Sequence, residues 1–293
     1  MIASLVLFSA LLDPQDKPSN PQYGPPSVEE PKPVTERLPN RKGNVLILMY
    51  HRIEQEEKNM VRSYENFEAD LNRLYAMGYR PVTLDEYVNN RMPLPRGASP
   101  VILTFDDSWQ SQFSMKSDGS IDPKSAVGIW KKFADKNPDF PVKGTFFILP
   151  NGPFGQKKFA KRKVELLLEW GSEIGSHTMT HGNLSKMSDG EVMKELAGSY
   201  DYIASLGIKA RSIATPYGIA PKNRSLLNKF ELNGKRYGYD NICLAGSSPA
   251  PSPVSGKMDR LRIPRVQAYD GTLGISYWLN RVSSGKVQPY VQP

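Results

Sequence analysis

"VILTFDDSW", residues 101–109, sets a run of apolar and β-branched residues directly against two neighbouring carboxylates, Asp106 and Asp107. The Val-Ile-Leu-Thr-Phe run reads as a strand buried on both faces, the kind a parallel sheet covers with helices. A single acid after such a run is ordinarily a turn or a helix cap. A pair offers more. Successive side chains on extended backbone point opposite ways, so one carboxylate can bind a cation while the other moves protons. That chemistry needs further ligands elsewhere in the chain.

Two of the three histidines, His177 and His181, stand in "EIGSHTMTHGNL", residues 173–184. Their i, i+4 spacing would place both imidazoles on one face of a helical turn, and one carboxylate would complete a three-ligand set. Catalytic metal sites keep three protein ligands and a water, whereas structural zinc sites close all four positions and usually spend cysteines on them. Cys243 is the only cysteine, which argues against a structural zinc site and excludes a disulfide within the chain. In "YDNICLAGS" it reads as a small hydrophobe of a buried strand.

At 293 residues the chain is within the range of a single α/β barrel, and 39% hydrophobic with 23% charged residues describe a soluble protein. The net charge of +8 is not gathered into a basic run with interleaved aromatics, so a solvated surface and no nucleic-acid partner are expected. The first twelve residues, "MIASLVLFSALL", are too short to span a bilayer comfortably and resemble the apolar part of a signal peptide without its positive start. Residues 13–43 are rich in proline and polar residues, as an extended tether would be. The expected organisation is a signal-like segment 1–12, a linker 13–43 and a catalytic domain 44–293 without an integral membrane domain. Export to the periplasm, cell surface or exterior follows, with a cleaved leader and an N-terminal membrane tether both left open.

From Asn44 onward, short apolar runs alternate with amphipathic stretches, the pattern of repeated strand-then-helix units. Seven strands are expected, at 44–50, 101–105, 142–149, 173–176, 211–215, 241–245 and 261–268. Phe67, Leu71, Leu74 and Tyr75 form a helical stripe, Asp122-Pro123 is expected to open another helix, and Ser188 with Glu191 forms a capping box before a helix that Gly207 stops. The polar residues then fall in one place. His51 follows the first strand, the Asp pair the second, His177 the fourth and "TPYG" (215–218) the fifth. In a parallel barrel these positions share the C-terminal rim, where such folds keep their active sites. The predicted fold is α/β, a deformed (β/α) barrel of about seven parallel strands.

At these residues the chain resembles the polysaccharide deacetylase family, the NodB-homology domain of carbohydrate esterase family four. "TFDD", "SHTMTH" and "TPYG" match its three motifs in order and spacing, and "LMYHRI", "GTFFIL" and "RIPRVQA" extend the likeness over residues 44–282. The resemblance implies that Asp106 is the general base and that Asp107, His177 and His181 hold one divalent transition metal, usually zinc. It implies too that the oxyanion is supported by the metal and by a backbone amide near Tyr217, in the turn opened by Pro216, and that the substrate is an acetylated polysaccharide.

The sequence departs from the family pattern at three places. Ala214 stands where many relatives carry the arginine that orients the base, and Arg265, or less readily Arg211, is the candidate replacement. No histidine follows His181 to serve as general acid, and His51, in the Tyr-His pair of one branch of the family, takes that place. Ser108-Trp109 replaces a frequent glycine-aromatic pair, so the substrate groove should differ in shape. The leading function is removal of N-acetyl groups from N-acetylglucosamine-type residues of an envelope or extracellular polysaccharide. An O-acetyl esterase and an inactive carbohydrate-binding barrel are the alternatives.

Overall fold

The computed structural model describes residues 36–293, so the signal-like segment 1–12 and residues 13–35 of the expected linker lie outside the described residues. The strands are β1 (Leu46–Tyr50), β2 (Arg52–Glu54), β3 (Val61–Ser63), β4 (Tyr79–Pro81), β5 (Ser99–Phe105), β6 (Thr145–Ile148), β7 (Glu173–Ser176), β8 (Ser212–Ala214), β9 (Phe230–Leu232), β10 (Lys235–Tyr237), β11 (Asn241–Cys243) and β12 (Val266–Gln267). The helices are α1 (Tyr64–Ala76), α2 (Leu84–Val88), α3 (Ala126–Lys136), α4 (Ala160–Glu169), α5 (Asp189–Ser205) and α6 (Ile275–Ser283). Among the described residues no helix is long and apolar enough to cross a membrane.

One curved parallel sheet in the order β11-β8-β7-β6-β5-β1-β12 contains all seven expected strands. An eighth, β4, pairs with the first half of β5, and β6 takes over beside its second half. The two ends of the sheet approach through one segment. Ile263 bridges to Cys243 of β11, while Val266 pairs with Leu48 of β1. The single strand expected over 261–268 is thus split between two partners, with Pro264, which has no N–H to give, between them. The result is the deformed barrel that the alternating pattern predicts.

Every residue of β1 and β5 is buried, because one face meets helices and the other the barrel interior. Leu46, Leu48, Tyr50, Leu103 and Phe105 pack outward against Phe67, Leu71 and Leu74 of α1 and Trp130 of α3. Each such side chain contributes roughly 1.5–3 kcal/mol by leaving water. Ile47 and Ile102 point the other way, joining Phe147, Ala214, Cys243 and Ile263 in the interior. Burial pushes the Cys243 thiol up to about 12, so this cysteine is a packing residue.

The capping box of Ser188 and Glu191 opens α5, and Gly207 follows its end with φ 78°. The other expected start is displaced. Asp122-Pro123 is a turn that receives Lys124 N–H, and α3 begins three residues later with Ser125 accepting from Gly128. Before β1, Asn40 bridges to Val291, and Arg37 donates to the carbonyls of Gly78 and Gly97.

Candidate active site

The C-terminal ends of β1, β5, β7 and β8 deliver His51, Asp106, Asp107, His177 and the Thr215–Gly218 turn to one rim. The backbone there is unusual. Asp107, Ser108, Thr178, His181 and Tyr217 all have φ between 48° and 70°, a region that non-glycine residues visit at a cost of about 1–3 kcal/mol each. A helical turn, one way to satisfy the i, i+4 spacing, is therefore not what joins the two histidines. Left-handed residues in the loop after β7 fold His181 back onto His177, with ring centroids 4.9 Å apart. Ser108 explains why glycine is frequent at its position. At φ 48° a side chain is strained, and here its hydroxyl repays part of that by accepting the Leu149 N–H at 3.1 Å.

Asp107 Oδ1 lies 3.1 Å from Nε2 of His177 and 3.1 Å from Nε2 of His181. His177 Nδ1 sits 2.9 Å from the Ala214 carbonyl, which can only accept, so Nδ1 carries the proton and Nε2 presents a lone pair to the carboxylate. Oδ1 itself is buried without a hydrogen-bond partner. A lone pair facing an unsatisfied anion calls for a cation between them. Ligand bonds of roughly 2.0–2.2 Å at tetrahedral angles separate donor atoms by roughly 3.3–3.6 Å, close to the observed spacing. The residues present thus fit a divalent metal, and the carbonyl of Ala214 fixes one ligand's tautomer.

Asp106 is 2% exposed and is gripped from inside the barrel. Arg265 Nη1 and Nη2 donate to its two oxygens at 2.7 and 2.8 Å, while Thr104 Oγ1 and the Leu244 carbonyl take further N–H groups of the same guanidinium. Burial alone would raise the Asp106 pKa, but the charge of Arg265, with His177 and His51, brings it below the usual carboxylate range. Ala214 belongs to the interior cluster, so an arginine at 214 would compete with Arg265 for the same space. Arg211 instead meets Asp240 at 3.4 Å on the surface.

His51 is half-buried on the same rim. Burial pushes its pKa down against the pull of Asp106 and Asp107. Pro216 is buried and Tyr217 is exposed, its ring edge-on to His181 at 4.9 Å. Three contributors escaped the sequence reading. Thr104 could have been suspected as the polar residue within a buried strand. Gln112, fully buried, donates Nε2 to the carbonyls of both His51 and Asp106 and so ties β1 to β5, and nothing in its spacing marks it. Trp109 donates its indole N–H to Asp107 Oδ2 at 2.9 Å.

The polysaccharide deacetylase family model matches residues 94–238, which contain the Asp pair, both metal-motif histidines and the Thr215–Gly218 turn. The chain belongs to the polysaccharide deacetylase family and is an enzyme of that class, a hydrolase. Among relatives, the Bacillus subtilis protein YxkH, which carries the provisional name of polysaccharide deacetylase, is 22% identical over 280 residues, covering 89% of this chain and 90% of that one. A peptidoglycan-N-acetylglucosamine deacetylase of Bacillus cereus is 25% identical over 161 residues, 55% of this chain and 51% of the relative, so the match spans about half of that protein. The fold is that of the Streptococcus pyogenes deacetylase PplD, solved in complex with acetate, with a TM-score of 0.60, 19% identity, 86% of this chain covered and 100% of that one.

Proposed function

We propose that the protein is a metal-dependent hydrolase that removes N-acetyl groups from N-acetylglucosamine-type residues of a cell-envelope or extracellular polysaccharide, and that it works outside the cytoplasm. The observation that carries this proposal is the convergence of Asp107, His177 and His181 around one point beside an ionised, arginine-held Asp106. The name of the Bacillus cereus relative supports the choice of substrate class.

Asp107, His177 and His181 would hold a divalent transition ion, for which zinc suits one carboxylate and two imidazoles. When bound, the ion would polarise the acetyl carbonyl and lower the pKa of water at the site. The remaining work falls to the chain. Asp106 accepts a proton from water as the new C–O bond forms, and Arg265 keeps that carboxylate ionised and oriented. The backbone amide of Tyr217, in the turn that Pro216 opens, donates to the developing oxyanion. His51 gives a proton to the leaving nitrogen as the C–N bond breaks, releasing acetate and a free amine.

The test is acetate release by the zinc-loaded protein from peptidoglycan, poly-N-acetylglucosamine and a chitin-like polymer, beside an O-acetylated polysaccharide. Release from an N-acetylated polymer that stops on chelation and returns with zinc is expected. Release confined to the O-acetylated polymer, or none from any, would overturn the proposal.

A further inference from the structure

The parallel ladder between β1 and β5 stops at the rim, and one buried side chain takes over there. Asp106 N–H donates to the Tyr50 carbonyl at 3.0 Å as the last rung. In a parallel ladder the next rung would run from Arg52 N–H to the Asp106 carbonyl. Arg52 N–H turns away instead, to the Met60 carbonyl at 3.2 Å, and the Asp106 carbonyl is left to Gln112. Gln112 Nε2 donates to it and, at 2.8 Å, to the His51 carbonyl. A primary amide nitrogen carries two N–H groups and no charge, so a single atom serves both acceptors. The reversed amide would set its oxygen against two carbonyl oxygens, which fixes the orientation. The clip is itself anchored. Gln112 is fully buried, its N–H donates to the Trp109 carbonyl at 3.0 Å, and its carbonyl accepts from Val127 of α3 at 2.9 Å.

The two residues that share this nitrogen differ in what else holds them. Asp106 is fixed twice more, by its rung to Tyr50 and by the two Arg265 bonds to its carboxylate. The imidazole of His51 takes no hydrogen bond among the described residues, so its ring is placed by its backbone. We infer that Gln112 is a positioning residue, and that its amide sets where His51 stands relative to Asp106. The inference rests on the deacetylase reading, in which His51 is the acid and Asp106 the base. It adds what fixes the span across which one proton is taken from water and another given to the leaving nitrogen. A shift of either backbone would move one group off the acetamido unit that both must reach.

A double-mutant cycle tests it, read as acetate release from the linear tetrasaccharide of N-acetylglucosamine by the zinc-loaded protein. Gln112→Met keeps the length of the side chain and removes both N–H groups. It should lower kcat by about tenfold to a hundredfold, the cost of a small misplacement of a reacting group, while KM and one zinc per chain are kept. Made in His51→Ala, the same substitution should cost less than about threefold, because no acid remains to be misplaced. A general loosening of the fold would cost the same in both backgrounds. Gln112→Asn keeps the amide but is one methylene too short to serve both carbonyls, and it should give the same pattern should Gln112→Met not fold. Unchanged kcat in the Gln112 variants, or equal losses with and without His51, would overturn the inference. In the wild type, independently of turnover, both side-chain N–H protons of Gln112 should exchange slowly with solvent, and fast exchange of either would also overturn it. Acetate release by the wild type with equal losses in the cycle would sink this inference alone. No release by the wild type from any acetylated polymer would sink the deacetylase reading and the inference with it.

Discussion

Among the described residues, two buried arginine–aspartate pairs are built alike and surrounded differently. Arg62, on β3, donates Nη2 and Nε to Asp70 of α1 at 2.7 and 2.9 Å, much as Arg265 grips Asp106. Around the first pair the charges are in excess. Arg62 also meets Asp270 at 2.7 Å and Glu57 at 3.0 Å, and the Tyr50 hydroxyl donates to Asp70, so three carboxylates hold one cation charged. Around the second the count is even. Arg265 meets one carboxylate, and its remaining donors go to the neutral oxygens of Thr104 and Leu244. A crowd of acids about one arginine fastens β3, α1 and the segment after β12 together. A single acid beside one arginine, with histidines next to it, is the arrangement proposed above for the general base. The difference shows that a buried ion pair is not by itself a sign of catalysis; what stands around it decides.

The largest expected effect separates the neighbours at the rim. Asp106→Asn should lower kcat for acetate release by about 10²- to 10⁴-fold, the worth of general base catalysis, with one zinc per chain retained. Asp107→Asn should lose zinc as well as turnover, as metal analysis after dialysis would show. If both variants keep metal and rate, the Asp pair is not the centre of the site.

His51→Ala should lower kcat for the amide by about 10²- to 10⁴-fold while metal content and fold are kept, and by less for an activated ester whose leaving group needs no proton. An acid must hold its proton, and burial lowers the His51 pKa. The alkaline limb of kcat/KM should therefore lie below the ordinary histidine value and vanish in the variant. Equal losses on amide and ester would point to a structural role.

The two pairs can be broken in parallel. Arg265→Met and Arg62→Met each leave a buried carboxylate without its cation, which costs about 3–5 kcal/mol in stability by denaturant titration. Only Arg265→Met should also lower kcat in the folded fraction. A rate loss of the same size in Arg62→Met would erase the distinction drawn between the pairs.

The smallest effect concerns a buried cation with no acid at all. Lys163, on α4, is fully buried and donates Nζ to the Phe154 carbonyl at 2.9 Å, and burial pushes its pKa down to about 8. Below that pH it is charged both folded and unfolded, and the cost of burying the charge is borne in full. Between about pH 8 and its ordinary value the folded chain has released the proton while the unfolded chain still holds it, so stability rises with pH, by up to about 3 kcal/mol. Lys163→Met should lack that rise when the two proteins are unfolded side by side at pH 7 and pH 10. A parallel pH response would place a hidden counter-charge beside Lys163.

The sequence alone determined the parts whose signals are local. Seven strands were legible because each is a short apolar run bounded by polar residues, and "TFDD", "SHTMTH" and "TPYG" were legible because chemistry needs those side chains at fixed short spacings. Asp106, Asp107, His177 and His181 could be paired on paper once each followed a strand, since a parallel barrel brings those ends together. Tertiary structure decided what depends on partners far along the chain. Arg265 lies 159 residues from Asp106, and although the sequence reading ranks it ahead of Arg211, only the closing segment 263–267 aims it into the interior. The i, i+4 spacing of the histidines is shared by helical turns and by loops with left-handed residues, and only contact with Asp107 and Ala214 selects the second. Gln112 and the indole N–H bond of Trp109 were silent for the same reason. A side chain's hydrogen-bond partner is set by packing in three dimensions, which local sequence does not encode.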